Sequence, residues 1–91
     1  MTTGPPSPTE AIVLRLWAGI LPVAPASVED DFFDLGGQSL HLVQFLQRAY
    51  GEFSVDLPVT NLFEDRFTAA RTAAEIDRAV AEERALLPTT D

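Results

Sequence analysis

One apolar stripe bracketed by two prolines constrains this chain more than any other feature. Ile12, Val13, Leu16, Trp17, Ile20 and Leu21 recur at three- and four-residue intervals, a spacing that gathers side chains on one face of an α-helix and scatters them across both faces of a strand. Ahead of the stripe stands Ser7-Pro8-Thr9-Glu10. Ser7 is placed to cap the helix, Pro8 sits where a missing N–H costs nothing, and Glu10 closes a capping box. Pro22 prevents continuation. The first helix therefore runs from about Pro8 to Leu21. With 91 residues and 46% hydrophobic content, the chain supplies one modest core and one domain, burying roughly 60–65% of its unfolded surface.

Composition then removes whole classes of chemistry. There is no Cys, hence no disulfide, thiolate metal site or Cys nucleophile, and His41 is the only His, so a multi-His metal site is excluded as well. Fourteen Asp and Glu stand against six basic residues, a net charge of −8, which leaves no electrostatic footprint for nucleic acid or an anionic membrane. A charged partner should be basic. The apolar run from Ala11 to Leu21 is broken by Arg15 and is short of the ~20 residues a bilayer span needs. The N-terminus has no basic region followed by a cleavage site, so a cytoplasmic location is expected.

Pro22 to Gln38 reads as a long loop: it holds Pro22, Pro25, Gly36 and Gly37 around the acidic run Glu29-Asp30-Asp31, with Phe32, Phe33 and Leu35 expected to pin it to the core. A loop of this length in so small a domain points to function. A second helix follows from about Ser39 to Tyr50, its core face assigned to Leu42, Val43, Leu46, Ala49 and Tyr50, with Gly51 as the stop. Thr60 or Asn61 is placed to cap a short third helix through Leu62 and Phe63. Thr68 is placed to cap a fourth, with Ala69, Ala73, Ile76 and Val80 on one side. The fold class expected is all-α, a small four-helix bundle of three longer helices and one short one. It divides into a lead over 1–7, a domain over 8–84 and a tail over 85–91.

Ser39 stands out because it ends the loop, follows two glycines and begins a helix. Locally, an N-cap explains it. A nucleophile elbow does not: the second glycine of G-x-S-x-G is replaced by His41, and no strand precedes the motif. Ser39 and His41 lie about 200° apart on a helix, so His41 is not placed to act as a base on Ser39 and reads as a solvated surface residue. The remaining role is that of an exposed acceptor. Glycines let another backbone approach, and a phosphodiester on Ser39 would sit well at a helix N-terminus.

The run Asp31-Phe32-Phe33-Asp34-Leu35-Gly36-Gly37-Gln38-Ser39-Leu40 resembles the x-F-F-x-L-G-G-x-S-L stretch of the D-x-F-F-x-L-G-G-x-S-L signature of peptidyl carrier proteins, the thiolation modules of nonribosomal peptide synthesis. The likeness continues through Gly51, Val55, Leu57-Pro58, Leu62-Phe63-Glu64 and Thr68, and spans about Ile12 to Val80. It implies an acyl-carrier-protein-like fold that is not itself an enzyme. It further implies that Ser39, flanked by Gly36, Gly37 and Gln38, carries a 4′-phosphopantetheine arm installed from coenzyme A by a phosphopantetheinyl transferase. The arm's thiol then holds an aminoacyl group as a thioester. The partners so implied are that transferase, an adenylation enzyme, and tailoring and condensation enzymes of natural-product biosynthesis, met by a monomer.

Departures from the family pattern bear on packing. Gln38 takes the position usually held by His or Asp, Phe67 replaces a common Pro before Thr68, and Thr72 falls where a large apolar residue is usual, so the fourth helix is expected to pack loosely or in a shifted register. The core then leans on Trp17, Leu42, Leu46, Phe63 and Phe67. Between Leu40 and Tyr50 the second helix has no carboxylate and has Arg48, so apolar contact is the expected recognition signal, with Leu40 and Phe45 as candidate partner-contact residues. The alternative for Phe45 is simple packing. The acidic runs Glu29 to Asp31 and Glu82-Glu83 read as solvating charge. Because the chain starts with Met1 and ends a few residues past the last helical pattern, a free-standing carrier is expected. An acyl carrier for polyketide or fatty-acid chains is the alternative within the class, and an unmodified helical interaction module, with Ser39 only a cap, is the alternative outside it.

Overall fold

The computed structural model describes residues 5–55, 57 and 66–86. Within them lie three helices, α1 (Pro8–Ile20), α2 (Ser39–Phe53) and α3 (Ala69–Leu86), with α1 packed against both of the others. Apart from one isolated bridge pairing Asp31 with Thr68, the described residues form no sheet. α3 is the helix expected as the fourth. It continues to Leu86, past the expected domain end at 84. The short helix expected at Thr60 to Phe63 lies outside the described residues, as does Phe63 itself.

α1 starts as the sequence dictates. The Ser7 hydroxyl accepts from the Glu10 N–H at 3.1 Å and the Glu10 carboxylate accepts from the Ser7 N–H at 2.9 Å, which satisfies two of the N–H groups a helix start leaves open. Its inner face buries Val13, Leu16 and Trp17. Thr68 caps α3, its hydroxyl accepting from the Arg71 N–H at 3.1 Å. Ala69, Ala73 and Ile76 are buried and Val80 packs against them, the stripe read from periodicity, so the shifted register expected from Phe67 and Thr72 is not found. Thr72 is fully buried there, and its hydroxyl donates to the Thr68 carbonyl at 2.7 Å, so the polar atom is satisfied inside the helix.

α2 departs from expectation in its rotation and its end. Its core face is formed by Phe45 and Ala49, flanked by Leu42, Leu46 and Phe53, while Val43 and Tyr50, assigned to that face, are 50% and 55% exposed. Positions 42, 45, 46, 49 and 53 are one helical stripe, and burying Phe45 removes far more apolar area from water than burying Val43 would. Phe45 is therefore corrected from a candidate partner contact to a core residue with no exposed surface. Gly51 is likewise not the stop. The helix runs on to Phe53, and Ser54 ends it in the left-handed conformation (φ 59°), with its N–H bonded to the Tyr50 carbonyl at 2.7 Å.

The core centre is aromatic. Trp17 meets Phe32, Phe45 and Phe67 edge-on at centroid distances of 5.2, 6.0 and 5.5 Å, and Phe32 stacks on Phe67 at 4.8 Å and 21°. Each such pair contributes about 0.5–1.5 kcal/mol beyond its buried area. The rings come from α1, the long loop, α2 and the entry to α3, so one cluster ties together elements that share few backbone bonds. At the surface, Arg15 of α1 pairs with Glu52 of α2 at 3.3 Å, and the Thr9 hydroxyl donates to Asp77 of α3 at 2.6 Å. Exposed pairs of this kind contribute about 0–1 kcal/mol each.

Candidate functional site

The loop that leads to Ser39 has no ladder to hold its backbone, and its own acidic side chains take over that task. Asp30 accepts the N–H groups of Ala26 and Ser27 at 2.8 and 3.0 Å. Asp31 Oδ1 accepts those of Phe33 and Asp34 at 2.8 and 3.3 Å. Two of the residues read as solvating charge thus shape the turns, Asp31 by bonding backbone two and three positions ahead, as Asx side chains do, and Asp30 by bonding backbone three and four positions behind. Phe32 and Leu35 are buried as expected. Phe33 is not fully pinned: it is 42% exposed while leaning on Phe32 and Phe67.

The two glycines have separate jobs. Gly36 takes a positive φ of 88°, closed to most side chains, where its N–H bonds the Phe33 carbonyl at 3.1 Å. Gly37 passes so close to Phe32 that a Cβ there would overlap the ring, and its N–H bonds the Phe32 carbonyl at 3.1 Å. The chain then turns into α2 with Gln38 as the N-cap residue and Ser39 as the first helical residue. Ser39 is exposed, and among the described residues its hydroxyl has no hydrogen-bond partner. The cap reading is thereby corrected: the hydroxyl is not used to hold the helix.

His41 has the local role that Ser39 lacks. Its Nδ1 accepts the Gln38 N–H at 3.0 Å, the reach-back that a Glu or Gln at the third helical position makes in a capping box. It is half-buried, not simply solvated. The signal for it was the spacing of three from Gln38. Leu40, the other candidate contact residue, is 66% exposed beside Ser39. Val43 and Tyr50 continue the same outer face, and Val23, joined to the loop's end through its N–H to the Leu35 carbonyl at 3.3 Å, is exposed too. The sequence pattern hid Val43 and Tyr50 by placing them on the core face, and gave no role to Val23. Among the described residues no group of His, Asp and Glu is arranged to hold a metal, and no helix is long and apolar enough to cross a membrane.

A small helical scaffold with an unencumbered hydroxyl at a helix start fits covalent attachment of an arm, since nothing buried has to be broken to reach it. Comparisons with known proteins agree. Residues 11–76 match the family model described as a phosphopantetheine attachment site. A linear gramicidin synthase of Brevibacillus parabrevis is 44% identical over 66 residues, covering 72% of this chain and 1% of that protein. L-2-aminoadipate reductase of Saccharomyces cerevisiae is 44% identical over 71 residues, covering 76% of this chain and 5% of its own length. The chain thus spans only a few per cent of these relatives. Among solved structures, a chain in the complex of the phosphopantetheine transferase Sfp with coenzyme A and a peptidyl carrier protein matches with a TM-score of 0.74 and 25% identity, covering 85% of this chain and 99% of that one. A docking-domain complex of the Pax nonribosomal peptide synthetase matches with a TM-score of 0.74 and 27% identity, covering 91% of this chain and 82% of that one. Motif, fold and relatives converge, and the chain belongs to the phosphopantetheine attachment-site family.

Proposed function

We propose that Ser39 is the attachment residue, and that the protein holds an aminoacyl group as a thioester on its 4′-phosphopantetheine arm and presents it in trans to loading, tailoring and condensing enzymes. The observation that carries this reading is the Ser39 hydroxyl itself, exposed at the first position of α2 with no partner among the described residues. In the modification, Ser39 Oγ forms a bond to the phosphorus bearing the pantetheine half of coenzyme A as the pyrophosphate bond breaks. The hydroxyl proton passes to a base on the transferase, and the nucleotide half of coenzyme A leaves. The arm supplies a terminal thiol for thioester chemistry. This chain supplies the anchor, the helix N-terminus behind the phosphodiester, and a surface for enzymes to grip.

That surface is apolar. Leu40, Val43 and Tyr50 line the outer face of α2, whose first turn carries no acidic residue. Contacts there would fix the docked enzyme close to Ser39, with charge secondary. Gly36, Gly37 and Gln38 serve by shaping the approach. Incubation with coenzyme A and a promiscuous phosphopantetheinyl transferase, followed by intact-mass and peptide analysis, tests the attachment. Modification confined to Ser39 is expected, and an unmodified protein returns the chain to the class of helical interaction modules. Loading of the modified protein by a separately supplied amino-acid adenylating enzyme, in preference to an acyltransferase, tests the cargo class.

A further inference from the structure

Asp31 is unusual among the acidic side chains in reaching both along its own loop and across to a distant part of the chain. Oδ1 closes the local turn through the Phe33 and Asp34 N–H groups. Oδ2 accepts the Phe67 N–H at 2.8 Å, 36 residues away in sequence. Beside it, the Phe32 N–H bonds the Phe67 carbonyl at 2.8 Å, completing the Asp31–Thr68 bridge. Phe32 in turn receives the Gly37 N–H at 3.1 Å and presses against Gly37 without room for a Cβ. A continuous line of short contacts therefore runs from the entry of α3, through Asp31 and Phe32, to Gly37, two residues before Ser39. The Ser39 hydroxyl has no tie of its own among the described residues.

We propose that Asp31 is the positioning residue for modification of Ser39: by strapping the loop to Phe67 it sets where the hydroxyl stands when a transferase docks. This rests on Ser39 being the attachment residue. Docking uses the outer face of α2, which the strap does not touch, so loss of the strap leaves the enzyme's affinity for the carrier and slows the chemical step, as misplacement of a reacting group does. Asp31→Asn separates the two functions of the side chain. Asn Oδ1 still accepts from Phe33 and Asp34, but its amide sets a donor against the Phe67 N–H.

The experiment measures single-turnover modification of the full chain at a temperature where every variant is folded, together with amide hydrogen exchange. For Asp31→Asn the rate at saturating transferase is expected to fall about tenfold, the size of a lost hydrogen bond to a charged group, with the transferase concentration giving half that rate within about twofold of wild type. The Gly37 and Phe67 amides should exchange faster, while Ala49 in mid-α2 is unchanged. Ile76→Val, which weakens the core from α3, should leave the rate alone. An Asp31→Asn protein modified at the wild-type rate with unchanged Gly37 exchange overturns the proposal, as does an equal rate loss in Ile76→Val. A wild-type chain that takes no arm at Ser39 overturns the attachment reading and this one together, and is recognised before any variant is compared.

Discussion

Gly37 and Phe32 are in contact closely enough that a methyl group added to Gly37 would overlap the Phe32 ring and lie 2.7 Å from the Phe32 carbonyl oxygen. Neither neighbour is free to yield, because the ring is locked between Trp17 and Phe67. Gly37→Ala is therefore expected to lower stability by about 1–3 kcal/mol, the cost of overpacking a filled core. Gly36→Ala should lose a comparable amount for a different reason, a positive φ of 88° with Pro22 3.2 Å from the new Cβ. Urea unfolding followed by circular dichroism measures both. A midpoint unchanged in Gly37→Ala means the loop is looser than its contacts indicate.

Ser39→Ala bears on stability as much as on attachment. Since the hydroxyl caps nothing, the substitution should change the free energy of unfolding by no more than about 0.5 kcal/mol, the range of an uninvolved surface position. The same protein should accept no phosphopantetheine. A loss of about 1 kcal/mol or more, the usual size of a lost cap, would show that the hydroxyl supports the helix after all.

Leu40→Ala should weaken modification and loading while leaving Tm nearly unchanged, because the side chain is 66% exposed and lies off the core stripe. Raising ionic strength should have a smaller effect than this truncation. If moderate salt abolishes the interaction and Leu40→Ala has none, steering by the chain's net charge of −8 is the better account.

Gly51 offers the opposite outcome to Gly37. It sits inside α2, and a methyl group added there would meet nothing within 4 Å, so Gly51→Ala should raise stability by about 0.5–1 kcal/mol. Chemical denaturation decides it, and a destabilised variant would mean that α2 ends near Tyr50 in solution.

Ser54 holds the left-handed position that ends α2, at φ 59°. Glycine enters that region without the Cβ penalty, so Ser54→Gly should gain stability by about 1 kcal/mol. Thermal unfolding reads the change, and a loss instead would point to a role for the Ser54 side chain.

Where sequence and structure agree, the agreement comes from local chemistry. Ser7 and Glu10 cap α1, Pro22 follows its end, Thr68 caps α3, and the Ala69, Ala73, Ile76 stripe faces inward, each set by residues within a turn or two of one another. The disagreements gather on α2, where apolar residues occupy more than one face. Leu42, Val43, Leu46 and Tyr50 fit one stripe, and Leu42, Phe45, Leu46, Ala49 and Phe53 fit another. Periodicity cannot choose between them. The choice is made by Trp17, Phe32 and Phe67, ring partners supplied from elsewhere in the chain. Ser39 and its glycines were legible because a motif sets them side by side. The Asp31 strap was not, because its second half lies 36 residues on and binds through a backbone N–H that no side-chain pattern records.

The aromatic cluster has one more consequence. The chain holds a single Trp and a single Tyr, and Trp17 is wholly shielded while Tyr50 is half-exposed on the far face of α2. Indole emission selected by long-wavelength excitation therefore comes from one site that touches the loop, α2 and the entry to α3 at once. Detachment of any of these lets water or a new neighbour reach the ring and shifts its spectrum. The protein carries its own optical gauge of loop seating, readable without a label.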